Sequence, residues 1–244
     1  MISTVKGAAK RIPGVRWARS QIGNYLRWRS FKGSSAYWEG RYRAGGTSGV
    51  GSYGHLAEFK ASVLNQFVVD RAITSVIEFG CGDGNQLRYA AYPRYIGLDV
   101  AHEAIRLCRA KFEDDSTKSF FVYDPECFVD HGGVFQADLA LSLDVLFHLS
   151  EDSVFARYIE LLFQAARRFV IIYSSNHDEI TSSPHERHRE FTRHVAAHVS
   201  GWRLAEKIEN RYPLSRYPAP VGSLAEFFVY ERRDGVGLPC ISKA

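Results

Sequence analysis

The sequence predicts an α/β fold: a three-layer sandwich around a mostly parallel sheet of about seven strands that ends in an antiparallel hairpin. Three observations carry this expectation. Five short apolar runs alternate with helical stretches between residues 75 and 173. A cluster of alternating glycines stands directly after the first of these runs. The last two runs, Trp202 to Ile208 and Leu224 to Tyr230, have no helix between them, only a Pro-rich connection from Tyr212-Pro213 to Pro220.

The elements follow in chain order. Residues Gly45 to Gly54 hold five glycines, each costing about 1 kcal/mol inside a helix, so this stretch reads as a loop that closes against another part of the chain. Leu56, Phe59, Val63, Phe67 and Val68 recur at helical spacing and predict an amphipathic helix ending near Asp70. Strands are predicted at 75–79, 95–99, 119–123, 138–143 and 169–173, with helices at about 85–91, 101–111 and 151–167. A polar stretch at about 184–199 is also read as helical.

Composition bounds the function. The chain has 244 residues, 31 Lys and Arg against 27 Asp and Glu, and a net charge of +4. No apolar run approaches the roughly 18 residues that span a bilayer. Cys81, Cys108, Cys127 and Cys240 form no C-x-x-C pair, which excludes a disulfide scaffold or zinc ribbon and suits a reducing, cytoplasmic setting. The positive charge is local: Lys6, Lys10, Arg11, Arg16, Arg19, Arg27, Arg29 and Lys32 precede the first acid, Glu39. Residues 1–38 are therefore expected to be a basic, aromatic arm on a mildly acidic domain at 39–232, with 39–54 as a candidate lid and 233–244 as a tail. Trp17, Tyr25, Trp28 and Phe31 among the cations of 1–32 suit peripheral contact with the inner membrane surface. An acid-free, Arg-rich start also resembles a mitochondrial transit peptide.

The most informative segment is Glu78-Phe79-Gly80-Cys81-Gly82-Asp83-Gly84, placed between a strand and a helix. Alternate glycines permit a tight turn and close backbone approach to a ligand. Asp99 ends the next strand, where a carboxylate can hold the hydroxyls of a ribose. Dinucleotide sites read G-x-G-x-x-G and receive a pyrophosphate at the helix start. Here the pattern is G-x-G-x-G with an acid two positions ahead of it, and a carboxylate there repels phosphate and attracts a cation. S-adenosylmethionine, with a ribose, an ammonium and a sulfonium but no phosphate, fits this chemistry.

On these residues the chain resembles the class I, Rossmann-like S-adenosylmethionine-dependent methyltransferases over roughly residues 55–232. The resemblance implies that Glu78, Gly80, Cys81, Gly82 and Gly84 run along the cofactor and that Asp99 and neighbouring Val100 take the ribose. It places Tyr123 and Asp124, at the end of the third strand, beside the adenine. It sets Asp144 and His148, in Ser142-Leu143-Asp144-Val145-Leu146-Phe147-His148-Leu149, beside the reacting methyl. Tyr37, Arg41 and Tyr42, ahead of the glycine-rich loop, are expected to cover the methionine end. The Tyr-Trp…Gly-Gly…Ser-Tyr-Gly pattern is also similar to bacterial methyltransferases associated with surface polysaccharides.

The acceptor is less legible. Methyl transfer to an alcohol needs a base, and histidine suits that role near neutral pH. His185 and His188 are the candidates, with Arg187 and Arg189 gripping an anionic acceptor. If 184–199 is helical, His185, His188 and Arg189 share a face. Tyr53, His55 and Tyr173 are further candidates for the acceptor wall. No metal is expected, because the histidines have no paired carboxylate. The leading expectation is O-methylation of a small, or glycan- or lipid-linked, anionic acceptor. The alternatives are a nucleic-acid methyltransferase using the arm on phosphates, disfavoured because Ser-Leu-Asp-Val ends the fourth strand, and a non-catalytic cofactor-binding or scaffolding protein.

Overall fold

The computed structural model describes residues 31–233, so residues 1–30 of the basic arm and 234–244 of the tail lie outside the described residues. A helix α1 (Ser34–Arg43) leads through a loop to a short 3-10 turn (Val50–Ser52) and a long helix α2 (Gly54–Asp70). There follow β1 (Val76–Phe79), β2 (Tyr95–Asp99), α3 (His102–Lys111), β3 (Lys118–Val122), β4 (Ala137–Leu143), α4 (Asp152–Gln164) and β5 (Ala166–Ser174). After β5 come a small hairpin of β6 (Glu179–Ile180) and β7 (Arg187–His188), then α5 (Phe191–His198), β8 (Trp202–Ile208) and β9 (Glu226–Arg232).

The main sheet has seven strands in the order β3-β2-β1-β4-β5-β9-β8. The first five are mutually parallel, while β9 runs antiparallel to β5 and to β8. This is the parallel sheet with a terminal hairpin that the sequence predicts. Its strands read as continuous apolar runs because both faces are covered. Residues alternate between the faces: Phe169, Ile171 and Tyr173 pack with Leu64, Phe67 and Val68 of α2. Val170 and Ile172 pack with Phe155, Ile159 and Leu162 of α4 and Phe191 of α5.

Three local expectations change. The helix expected at 85–91 is only a 3-10 turn, Gln86–Tyr89, which ends where Ala90 turns to extended backbone. The helix expected at 184–199 shrinks to α5, and its first part instead pairs Arg187 and His188 with Ile180 and Glu179. Helical spacing there loses to the tertiary contacts of Arg189 and His188 described below. The boundary expected between residues 38 and 39 falls inside α1, whose N-terminus is held by Glu151: Ser34 N donates to Oε1 at 2.8 Å.

The parallel order places the carboxyl ends of β1, β2 and β4 side by side, with the glycine loop leaving β1 between them. That loop turns through left-handed backbone at Gly80, Gly82 and Gly84, with φ of 79°, 59° and 69°. At Gly84 a Cβ would stand 2.9 Å from Cys108 Sγ and 2.9 Å from Phe112 Cε2, so the absent side chain is what lets α3 pack on the loop. Gly84→Ala is expected to destabilise the protein by about 2–4 kcal/mol, combining left-handed strain with overpacking. Urea unfolding measures it, and an unchanged midpoint contradicts this packing argument.

Candidate active site

A cavity opens at the carboxyl ends of β1, β2 and β4 and is covered by α1 and the loop after it. Sheet order explains the place: at an open α/β sheet the crevice lies outside the strand ends, where the connections diverge. Its wall includes Glu78, Gly80, Cys81, Gly82, Asp99, Val100, Tyr123, Asp144, His148 and Tyr42. The structure thus brings together most of the residues that the sequence picks for the cofactor.

Asp99 is the hinge of the arrangement. Its Oδ2 accepts from Gly82 N at 2.9 Å and its Oδ1 from Ala101 N at 2.9 Å. One carboxylate therefore holds the glycine loop and the start of α3 while it lines the cavity. Burial pushes its pKa up to about 6, against the pull of the hydrogen bonds from Ala101 and Gly82. Burial likewise pushes Glu78 up to about 7, with Tyr95 and Lys60 pulling back; Tyr95 Oη donates to Glu78 Oε2 at 2.6 Å.

Asp144 follows β4 in left-handed backbone, φ 58°, a conformation aspartate tolerates better than most residues. Its Oδ2 is 2.6 Å from Lys60 Nζ, and the lysine side chain is 0% exposed. Lys60 also lies over the ring of buried Tyr173, 5.3 Å from its centroid. Sequence reading missed Lys60, since a lysine within an apolar helix stripe carries no motif; its partner is 84 residues away.

The loop after α1 is latched onto the glycine loop by Asp83. Its Oδ2 accepts from Ser48 N at 3.1 Å and from Tyr53 Oη at 2.6 Å. Asp83 N donates to Ser48 Oγ at 2.9 Å, and Tyr42 Oη lies 3.0 Å from that hydroxyl. Burial opposes ionisation of Asp83, but hydrogen bonds from Tyr53, Ser48 and Asn85 outweigh it and hold the carboxyl below its usual range. A side chain on Gly82 would collide with Ser48 Oγ, so the lid and the glycine loop fit only without one.

Other expected site residues stand elsewhere. Gly84 packs on α3 instead of facing the cavity. Asp124 is exposed and caps its own turn, accepting from Glu126 N at 2.9 Å; Tyr123 and Pro125 line the cavity in its place. Tyr53 serves the latch. His55 Nε2 lies 2.8 Å from the Val221 carbonyl, tying α2 to the Pro-rich connection. Tyr37 stacks on His185 at 4.1 Å, Arg41 donates to the Thr47 carbonyl at 2.7 Å, and neither lines the cavity. Tyr173 is buried beneath Lys60.

The arginines expected to grip an anion are engaged within the fold. Arg189 bonds Asp152, the Leu149 carbonyl at 2.5 Å and the Ser150 carbonyl at 2.8 Å, and Arg187 bonds Asp152 at 3.0 Å. His188 Nδ1 lies 2.6 Å from Ser175 Oγ, and its ring stacks on His177. His185 and His188 therefore share no helix face. Neither lines the cavity, and burial lowers the pKa of both.

His148 does line it. The ring packs against Trp38, Nδ1 lies 3.4 Å from the His185 carbonyl, and burial lowers its pKa to about 3. Among the described residues no cluster could hold a metal ion, and no helix is long and apolar enough to cross a membrane. Among the described residues, three carboxylates, Glu78, Asp99 and Asp144, line the cavity, Lys60 is paired with Asp144, and no Lys or Arg stands in the wall itself. That donor set fits a cationic, phosphate-free ligand such as S-adenosylmethionine.

A pH dependence follows. In the free protein Glu78 and Asp99 take up protons below about pH 7 and 6, which removes the negative charge that attracts a cation. Adenosylmethionine affinity is expected to fall as pH drops from 8 to 5.5, by up to about tenfold per unit for each group below its pKa. Binding at pH 6.5 should release protons. Calorimetry in two buffers of different ionisation enthalpy measures this, and zero proton release contradicts it.

Comparison with known proteins agrees with the geometry. Residues 77–168 match a family described as a methyltransferase domain. No curated protein matches the chain. Among solved structures, the methyltransferase domain of bacterial CtHen1-C aligns at 18% identity and TM-score 0.55, covering 72% of this chain and 98% of that one. The N-methyltransferase NodS from Bradyrhizobium japonicum WM9, in complex with S-adenosyl-L-homocysteine, aligns at 14% identity and TM-score 0.56, covering 72% and 87%. Magnesium protoporphyrin IX methyltransferase (ChlM) from Synechocystis PCC 6803, with bound S-adenosylmethionine, aligns at 15% identity and TM-score 0.52, covering 72% and 79%. The matched segment runs from β1 into β5, through the strands that build the cavity, so residues 77–168 match a methyltransferase domain and the fold is that of class I methyltransferases, which supports S-adenosylmethionine-dependent methyl transfer as the activity.

Proposed function

We propose that the enzyme methylates a hydroxyl oxygen on a small or glycan- or lipid-linked acceptor, and that His148 takes the proton. The observation that supports this reading is the placement of His148: its ring lines the cavity, and Nδ1 faces a backbone carbonyl. A carbonyl only accepts, so Nδ1 carries the hydrogen and the Nε2 lone pair is left for an acceptor hydroxyl. His148 displaces His185 and His188 as base; His185 instead orients it through its carbonyl.

Bound in the cavity, the cofactor supplies a methyl on a positively charged sulfonium and leaves as a neutral thioether. A hydroxyl that gains this methyl must lose its proton, and a neutral imidazole can receive it. Positive charge then passes from sulfonium to imidazolium, so the buried site keeps its net charge across the reaction. Low intrinsic basicity does not bar this, because the acidity of the hydroxyl rises steeply as the new bond forms. The reading rests on oxygen chemistry and not on acceptor charge, since Arg187 and Arg189 are engaged by Asp152.

The glycan or lipid linkage and the membrane-surface contact rest on the composition of residues 1–32, where aromatics stand among the cations. His148→Ala and His148→Gln are expected to lower kcat by about 10²–10³-fold, with S-adenosylhomocysteine affinity within about threefold of the parent. Labelled-methyl transfer into fractionated cell extract measures turnover before the acceptor is known. Because burial keeps His148 neutral, the parent's kcat at saturating cofactor should show no loss centred on pH 6.5. Full turnover in both variants contradicts the role given to His148.

A further inference from the structure

Taking S-adenosylmethionine as the ligand of the cavity, we infer that Gln86 recognises the α-ammonium of its methionine end. Gln86 opens the 3-10 turn two residues beyond the last glycine of the loop, a position that no motif reading selects. Gln86 is 7% exposed, and it lines the same cavity as Ser52, Glu78, Gly80 and Asp144. Nε2 donates to the Ala57 carbonyl of α2 at 2.9 Å, while Oε1 is buried without a hydrogen-bond partner among the described residues.

The chemistry of the amide fixes what is missing. Ala57 offers a backbone carbonyl, so it must meet the NH₂ side, and a flipped amide would set two acceptors against each other. The orphan is therefore an acceptor, and a buried acceptor left without a donor is unfavourable. A carboxylate cannot supply the donor. An ammonium can, and it is the one charged donor on the cofactor's amino-acid end. Glu78, which lines the same cavity without a paired cation at salt-bridge distance among the described residues, favours the same group when ionised. The tether to α2 holds the amide in register with a helix whose Lys60 also positions Asp144.

A residue-by-ligand cycle tests this. The parent, Gln86→Ala and the near-isosteric Gln86→Met are each titrated calorimetrically with S-adenosylhomocysteine and with its analogue lacking the α-amino group. The parent should bind the desamino analogue at least about tenfold more weakly, the loss typical of a hydrogen bond to a charged group. Both variants should bind S-adenosylhomocysteine about tenfold more weakly than the parent, and the desamino analogue about as well as the parent does, so that discrimination between the two ligands falls by about tenfold. Gln86→Met fills the space and keeps the test in hand if Gln86→Ala fails to fold. Equal weakening for both ligands, with the parent's discrimination intact, overturns the inference and leaves Gln86 as an anchor for α2 alone. A parent that binds neither ligand would contradict the cofactor assignment instead.

Discussion

The site depends on one carboxylate that serves two backbone donors. Asp99, at the end of β2, accepts from Gly82 N and Ala101 N. The glycine loop leaves β1 and would otherwise be a flexible run of left-handed residues. Pinning it to the neighbouring strand end gives the cavity a fixed floor, and α3, fastened by the same group, fixes its side. Charge-assisted hydrogen bonds of this kind are roughly twice as strong as neutral ones. Burial raises the pKa of the carboxyl to about 6, so the structure carries an acid whose ionised form is underserved until a ligand donates to it.

The same logic extends across the cavity. Buried ions are costly unless paired, and each carboxylate here is handled differently. Asp144 has a lysine that is itself fully enclosed. Glu78 accepts from the Tyr95 hydroxyl, the one hydrogen bond to its carboxylate among the described residues, and burial pushes it up to about 7. Asp83, which faces the lid, gathers enough donors to stay ionised. The pattern separates structural charge, fully satisfied, from charge kept in reserve for a cation.

Legibility in the sequence followed the range of the interaction. The order of strands and helices was readable because apolar runs and helical periodicity are local signals, and the terminal hairpin because a Pro-rich connection leaves no room for a crossover helix. Glu78, the glycines and Asp99 were readable because their spacing along the chain is itself the motif. Gln86 and Lys60 were not, since each acquires its meaning from contacts with α2 or β4 that no spacing encodes. The stretch around His185 misled for the same reason: its helical spacing is real, but Asp152, Ser175 and the β6–β7 pairing decide its shape. A histidine one turn beyond β4 could have been ranked above them on strand-end position alone.

The central claim is that this cavity binds S-adenosylmethionine through a buried acid that also holds the glycine loop. The direct measurement is a calorimetric titration with S-adenosylhomocysteine of the parent and Asp99→Asn, whose fold is checked by circular dichroism. The substitution keeps the size but removes the charge and sets an amide donor against one of the two N–H groups. The account predicts an affinity loss of about 100-fold or more, the worth of two hydrogen bonds to a charged group. Binding within about threefold of the parent would contradict it.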